Sequence, residues 1–170
     1  MGGMRRRQKP PLQDRHGLAP ARVRMPTDGH WVSIRDHLVD KLARHVPAER
    51  IDAMIVGGEI VDLDGPISLD SPYVPGGAVW FHRDLPDETP VPFTVDVLHR
   101  DDAILAVDKP HFLATMPRGV HVTETALVRL RNELGIDDLV PLHRLDRATA
   151  GVVMFSVDPA TRGAYHLLFE

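Results

Sequence analysis

The densest group of polar side chains in the sequence is His143-Arg144-Leu145-Asp146-Arg147, and its chemistry centres on one carboxylate. An adjacent guanidinium favours the charged form of a carboxyl group, so we expect Asp146 to be ionised even in a closed site. An ionised carboxylate suits nucleophilic catalysis or cation binding better than acid catalysis. From the residues alone, the alternative is a structural Arg–Asp pair that braces a loop.

The cluster lies in an irregular polar segment between a predicted helix and a predicted strand. The helix is predicted to begin at Thr123 and to end at Gly135, with its apolar residues at helical spacing. The apolar run 151–157 predicts a buried strand, and runs at 94–98 and 104–107 predict a hairpin. Loops held between rigid elements are where proteins usually place reactive groups.

The first half of the chain predicts a small module of helices and strands. Ser33 and Asp36 have the spacing of a capping box, and the apolar residues that follow every four positions predict a helix up to Pro47. A second helix is predicted over residues 48–56 and a strand over residues 60–63.

Four segments follow from these patterns, and together they predict an α+β fold. Residues 1–29 contain four prolines and no sustained period, which indicates a basic extended arm. Residues 30–83 form the helix-and-strand module. Residues 84–93 are rich in proline and acidic side chains and predict a linker to a second domain over residues 94–170.

Composition limits the chemistry that this chain can perform. Cysteine is absent, which excludes disulfides, thiolate zinc sites and cysteine nucleophiles. The ten histidines include no pair at metal-site spacing, so we predict no metal site. No apolar run approaches the ~20 residues that span a membrane, and the N-terminus lacks the apolar stretch of a secretory signal. We therefore expect a cytoplasmic protein without a membrane partner.

The net charge of −4 by itself argues against a nucleic-acid partner, but the charge is unevenly distributed. Residues 1–26 contain seven basic residues and one acidic residue, whereas residues 27–170 contain 13 basic and 23 acidic residues. This basic segment is either a solvated tail or an arm that neutralises phosphates.

Residues 141–156, PLHRLDRATAGVVMFS, resemble the signature of the RluA-type pseudouridine synthases, H-R-L-D-x-x-T-S-G followed by an apolar strand. Upstream, residues 103–117, AILAVDKPHFLATMP, resemble that family's strand ending in Lys-Pro. Residues 162–170 resemble the start of its next helix. The resemblance covers about residues 93–170, and Ala150 stands where the family usually has serine.

This resemblance implies an isomerase that converts uridine in structured RNA, ribosomal or transfer RNA, to pseudouridine. It implies that Asp146 is the catalytic residue, that the target base leaves the stack, and that no metal or organic cofactor takes part. It implies an RNA-binding role for Arg144 and Arg147, with Arg144 filling the gap left by the flipped base. The implied fold is the N-terminal part of a mixed α/β catalytic domain, and we expect a monomer.

Residues 31–83 resemble the small RNA-binding domain shared by a ribosomal small-subunit protein, tyrosyl-tRNA synthetases and many pseudouridine synthases. The likeness consists of two short helices, a turn at Gly58–Gly65 and the strands that follow. The alternative for this segment is a helical cap on the catalytic domain.

The family resemblance also implies site residues that this sequence does not contain. The family's aromatic residue and a further basic residue lie beyond the helix predicted at Pro159, and the sequence ends at Glu170. We therefore expect the 170-residue chain to be inactive by itself. The alternative function is a catalytically incomplete fragment that acts only as an RNA-binding module or is an inert remnant.

Overall fold

The computed structural model describes residues 10–169, which fall into two compact units. Among the described residues, the first unit comprises 10–15 and 19–83, and the second comprises 16–18 and 84–169. Helices and two antiparallel sheets are present, in agreement with the predicted α+β class. No helix within the described residues is long and apolar enough to cross a membrane.

The first unit packs two helices against a two-stranded antiparallel sheet. Its elements in chain order are β1 (Ala21–Arg24), α1 (Ile34–Leu42), α2 (Ala48–Val56) and β2 (Ala78–Phe81). Both helices bury one apolar face, because the inward residues of each recur at helical spacing. Buried residues of α1, α2 and β2 form one hydrophobic core, against which the apolar residues of β1 pack. Ala78 and Trp80 of β2 form a smaller cluster with Val61.

The predicted capping box is confirmed, but α1 is shorter than predicted. The Ser33 hydroxyl accepts a hydrogen bond from the Asp36 amide at 3.0 Å, and the Asp36 carboxylate accepts one from the Ser33 amide at 3.2 Å. The helix ends at Leu42, whose carbonyl accepts hydrogen bonds from both His45 and Val46 at 2.8 and 3.0 Å. These bonds tighten the chain into a turn and end the helix.

Part of the predicted arm contributes a strand to the first unit. Residues 21–24 pair with β2 because apolar side chains alternate with arginines there, and Met25 is buried directly after them. The part of the arm at residues 1–9 lies outside the described residues.

The strand predicted at residues 60–63 is wrong. Val61 forms isolated bridges to Trp80 and Pro66. The Asp62 carboxylate accepts hydrogen bonds from the amides of Asp64 and Gly65 at 2.8 and 3.1 Å, so the chain turns after one paired residue.

The second unit is a four-stranded antiparallel sheet in the order β3-β4-β6-β5, with one longer helix against it. Its elements are β3 (Asp96–Arg100), β4 (Ile104–Lys109), α3 (Ala126–Leu134), β5 (Val140–Pro141), β6 (Gly151–Ser156) and α4 (Arg162–His166), followed by a short 3₁₀ helix at Leu167–Phe169. The predicted hairpin is confirmed as β3 and β4. The core lies between α3 and the inner face of β4 and β6.

Two helices of the second unit begin three residues later than predicted. Thr125, not Thr123, is the N-cap of α3, since its hydroxyl accepts a hydrogen bond from the Val128 amide at 3.2 Å. The helix predicted from Pro159 begins at Arg162.

Candidate functional site

The segment between β5 and β6 carries the polar cluster and folds back along β6. The Leu142 amide donates to the Met154 carbonyl at 2.8 Å, and the Met154 amide donates to Nε2 of His143 at 3.0 Å. An Nε2 atom that accepts a hydrogen bond carries no proton, so His143 is neutral here. Burial lowers the pKa of His143, which agrees with this state.

Hydrogen bonds fix the backbone on both sides of Asp146. Thr115 is a buried residue with 3% of its surface exposed. Its hydroxyl donates to the Leu145 carbonyl at 2.8 Å and accepts from the Leu145 amide at 3.2 Å. The Asp146 carbonyl accepts from the Thr149 amide at 3.0 Å. Nδ1 of His111 donates to the Ala148 carbonyl at 2.7 Å. The position of Asp146 is therefore set by contacts to a segment more than thirty residues upstream.

Lys109 holds that upstream segment in place from inside the core. Its side chain is fully buried at the end of β4, and Nζ donates to the carbonyls of Pro110 and Leu113 at 2.9 and 2.8 Å. Burial lowers the pKa of Lys109. The turn between these carbonyls presents the Phe112 carbonyl, which accepts from Nη1 of Arg147 at 3.3 Å.

The Asp146 carboxylate is exposed and has no ion pair or hydrogen bond with the described residues. The bracing Arg–Asp pair, which was the alternative from the sequence alone, is therefore not formed within residues 10–169. Arg147 turns instead to the Phe112 carbonyl. The structure leaves the carboxylate able to contact a ligand.

The three sequence-predicted site residues line one cleft of about 240 Å³. Asp146, Arg144 and Arg147 come from the loop after β5, and all three are exposed. The second wall comes from the segment after β4 and contributes Arg118 and His121. The cleft thus surrounds one carboxylate with three guanidinium groups and an imidazole, a setting that favours an anionic ligand.

The sequence interpretation did not include Thr115, Arg118 and His121. No local spacing relates them to Asp146, because the contacts that join the two segments cross about thirty residues of chain. The signal that pointed to this segment was the Lys-Pro pair at the end of β4. Within residues 10–169 no group of three or more histidine, aspartate or glutamate side chains is placed to hold a metal ion.

Comparison with known proteins finds a family whose model matches the segment that contains this cleft. The family model for RNA pseudouridylate synthase matches residues 103–170, which include both walls of the cleft. Through this segment, the chain is similar to the RNA pseudouridylate synthases. The resemblance predicted from residues 103–117 and 141–156 is confirmed.

Individual pseudouridine synthases are similar to larger parts of the chain. An uncharacterised RNA pseudouridine synthase of Synechocystis is 34% identical over 99 residues, which cover 58% of this chain and 32% of that protein. RNA pseudouridine synthase 5 of Arabidopsis thaliana is 27% identical over 157 residues, 85% of this chain and 42% of that protein. For tRNA pseudouridine synthase C of Pasteurella multocida the identity is 32% over 79 residues, 45% of this chain and 32% of that protein. The chain therefore spans less than half the length of these relatives.

Proposed function

We propose that this chain takes part in the isomerisation of uridine to pseudouridine in RNA and that Asp146 acts on the target nucleoside. The observation that carries the proposal is an exposed carboxylate without a protein partner among the described residues, on a fixed backbone, in a cleft of the pseudouridylate synthase segment. Two of the relatives are named RNA pseudouridine synthases and a third a tRNA pseudouridine synthase, so transfer RNA is one candidate substrate.

The proposed reaction exchanges one bond of the nucleoside for another. The bond from C1′ to N1 of uracil breaks, the base turns, and a bond forms from C1′ to C5, while C5 loses a proton and N1 gains one. No oxidant or reductant is consumed. The Asp146 carboxylate serves as the nucleophile or base toward the nucleoside.

The arginines on the Asp146 loop suit the steps that precede the chemistry. A uridine inside a helix must leave the stack before a side chain can reach its glycosidic bond. Arg144 is assigned to the gap that the base leaves, because a planar guanidinium both stacks and pairs with phosphate. Arg147 is assigned to the neighbouring RNA backbone.

The first unit is proposed to add RNA contacts beyond the cleft. Two basic residues of its helices already form ion pairs within the unit, Arg35 with Asp52 at 2.6 Å and Arg50 with Glu59 at 3.1 Å. Lys41 is exposed near the end of α1 and is available for phosphate contact. A chain that used only these contacts would bind RNA without catalysis, which is the second candidate function.

Mapping of pseudouridine in total RNA distinguishes the two candidates. We expect at least one pseudouridine to disappear from the RNA of cells that lack the gene and to return with the wild-type gene. Restoration by the Asp146→Asn gene would favour RNA binding without catalysis. An unchanged map on deletion of the gene would contradict the proposed function.

A further inference from the structure

A buried carboxylate outside the cleft fixes the segment that follows one of the cleft walls. Only 6% of the Glu88 side chain is exposed. Its Oε1 accepts from the amides of Val122 and Thr123 at 2.9 and 2.7 Å and from the Thr123 hydroxyl at 2.8 Å. Its Oε2 accepts from the Glu124 amide at 3.2 Å. Burial works against the charge of Glu88, but these hydrogen bonds outweigh it and hold its pKa below the ordinary value.

The residues directly before this anchor form a tight turn that reaches the cleft. The Arg118 amide donates to the His121 carbonyl at 2.8 Å, and the His121 amide donates to the Arg118 carbonyl at 3.2 Å. Gly119 has a φ of +60°, a conformation that favours glycine. Both Arg118 and His121 line the cleft that contains Asp146. Glu88 thus anchors the end of the turn that carries them.

A second set of contacts fastens the segment on which Glu88 lies. The Glu124 carboxylate accepts from the Val91 amide at 2.7 Å and pairs with Arg129. Nη1 of Arg129 donates to the Phe93 carbonyl at 2.6 Å. Glu88 is therefore attached to a segment that is itself held against the start of α3, and it can act as a fixed support.

We propose that the Arg118–His121 turn binds a phosphate of the RNA backbone beside Asp146 and that Glu88 is the positioning residue for this turn. The inference rests on the proposed function, since it takes the ligand of the cleft to be RNA. Phosphates are the anions that an RNA strand offers along its whole length. Contacts to them set the register of a strand on a protein. Arg118 lines the cleft from the segment after β4, whereas Arg144 lines it from the loop after β5. The two guanidinium groups thus hold an RNA strand from two walls as it passes Asp146.

Binding of the chain to a fluorescein-labelled oligouridylate over a salt series tests the phosphate contact. The logarithm of the affinity falls with the logarithm of the salt concentration, with a slope of about 0.7 for each phosphate contact on a single strand. We expect Arg118→Ala to weaken binding and to reduce this slope by about 0.7. The matched control is Arg100→Ala, which removes an exposed guanidinium from β3 in the same unit. Equal slopes for the two variants, or no binding of the oligouridylate by the wild-type chain, would overturn the proposal.

Substitutions of Glu88 separate positioning from simple charge. Removal of a negative charge should tighten RNA binding, and Glu133→Ala on the exposed side of α3 gives the size of that effect. We expect Glu88→Ala to weaken binding instead and to give the same salt slope as Arg118→Ala. The variant that carries both substitutions should bind no more weakly than Arg118→Ala alone. Glu88→Gln removes the charge but keeps an oxygen at the position of Oε1, where three of the four hydrogen bonds end. It should therefore keep the wild-type salt slope and bind no more weakly than wild type, with any gain no larger than that of Glu133→Ala.

The remaining outcomes decide between this inference and the proposed function. Tighter binding by Glu88→Ala, of the size seen for Glu133→Ala, would refute the positioning role. Unaltered binding by Glu88→Ala, measured below its unfolding temperature, would refute it as well. Asp146→Asn should leave the salt slope unchanged, so a failure of the proposed isomerisation appears in the pseudouridine map and not in these slopes.

Discussion

Two hydrogen-bonded anchors hold the backbone around Asp146. The Thr115 hydroxyl bonds the preceding residue, Leu145, and the His111 imidazole bonds Ala148, two residues after Asp146. The grouping of the Asp146 carboxylate with Arg144 and Arg147 could be predicted from the sequence, because the three charged residues lie within four positions. The anchors could not be predicted, since a hydroxyl that bonds a backbone thirty residues away leaves no local pattern. The alternative Arg–Asp pair is not formed among the described residues, and Arg147 donates to the Phe112 carbonyl instead.

Replacement of Thr115 tests the first anchor. Thr115→Val keeps the shape of the side chain but leaves the amide and carbonyl of Leu145 without their buried partner. We expect the free energy of unfolding to fall by about 1–3 kcal/mol in urea denaturation. Thr115→Ser keeps the hydroxyl and serves as the control. Equal stability of the valine and serine variants would show that the anchor is not needed.

The neutral state of His143 predicts a dependence of stability on pH. Burial lowers the pKa of His143 below its ordinary 6.5, so the unfolded chain binds a proton more readily than the folded chain. The stabilisation is complete above pH 6.5 and is lost as the pH falls below that value. We expect the melting temperature to fall between about pH 7 and pH 5, and less steeply in His143→Gln. Parallel pH profiles for wild type and variant would contradict this assignment.

At the scale of elements, the sequence predicted the structures that depend on neighbouring residues. It did not predict those that depend on contacts between distant parts of the chain. The capping box and α2 depend on neighbouring residues and were found where the sequence placed them. The strand predicted at residues 60–63 failed because Asp62 caps a turn with its own carboxylate. The segment 84–93 looks like a linker in sequence, yet its Glu88 makes four hydrogen bonds to the segment before α3.

Lys109 connects β4 to the turn that supports the Asp146 loop, and its replacement tests this element. Lys109→Met keeps the apolar stem but removes the donors to the carbonyls of Pro110 and Leu113. One buried and one partly buried acceptor without partners should lower the free energy of unfolding by about 2–4 kcal/mol. Arg100→Met at an exposed position of β3 is the control. A Lys109→Met protein as stable as this control in urea would contradict the proposed support.

At the scale of the whole molecule, the basic residues of the first 26 positions fall into two groups. Arg22 and Arg24 of the basic segment belong to β1, whereas residues 1–9 hold three arginines and a lysine ahead of the described part. The chain passes from the first compact unit to the second at residue 84. The net charge of −4 did not reveal the cationic cleft, because the cleft forms from two segments that only the fold brings together.

Deletion of residues 1–9 tests whether the basic arm contacts RNA. The deletion keeps all residues of β1. We expect the salt slope for oligouridylate binding to fall by about 0.7 for each phosphate contact that is lost. Replacement of the same four basic residues by glutamine should have the same effect as the deletion. An unchanged slope would return this segment to the role of a solvated tail.

The measurement that tests the central claim most directly is the pseudouridine map of cells that carry Asp146→Asn in place of the wild-type gene. The control is Asp137→Asn, which removes an exposed carboxylate outside the cleft in the same unit. We predict that Asp146→Asn abolishes the same pseudouridines as deletion of the gene, while Asp137→Asn retains all of them. Full modification in the Asp146→Asn cells would contradict the assignment of this carboxylate to the reaction.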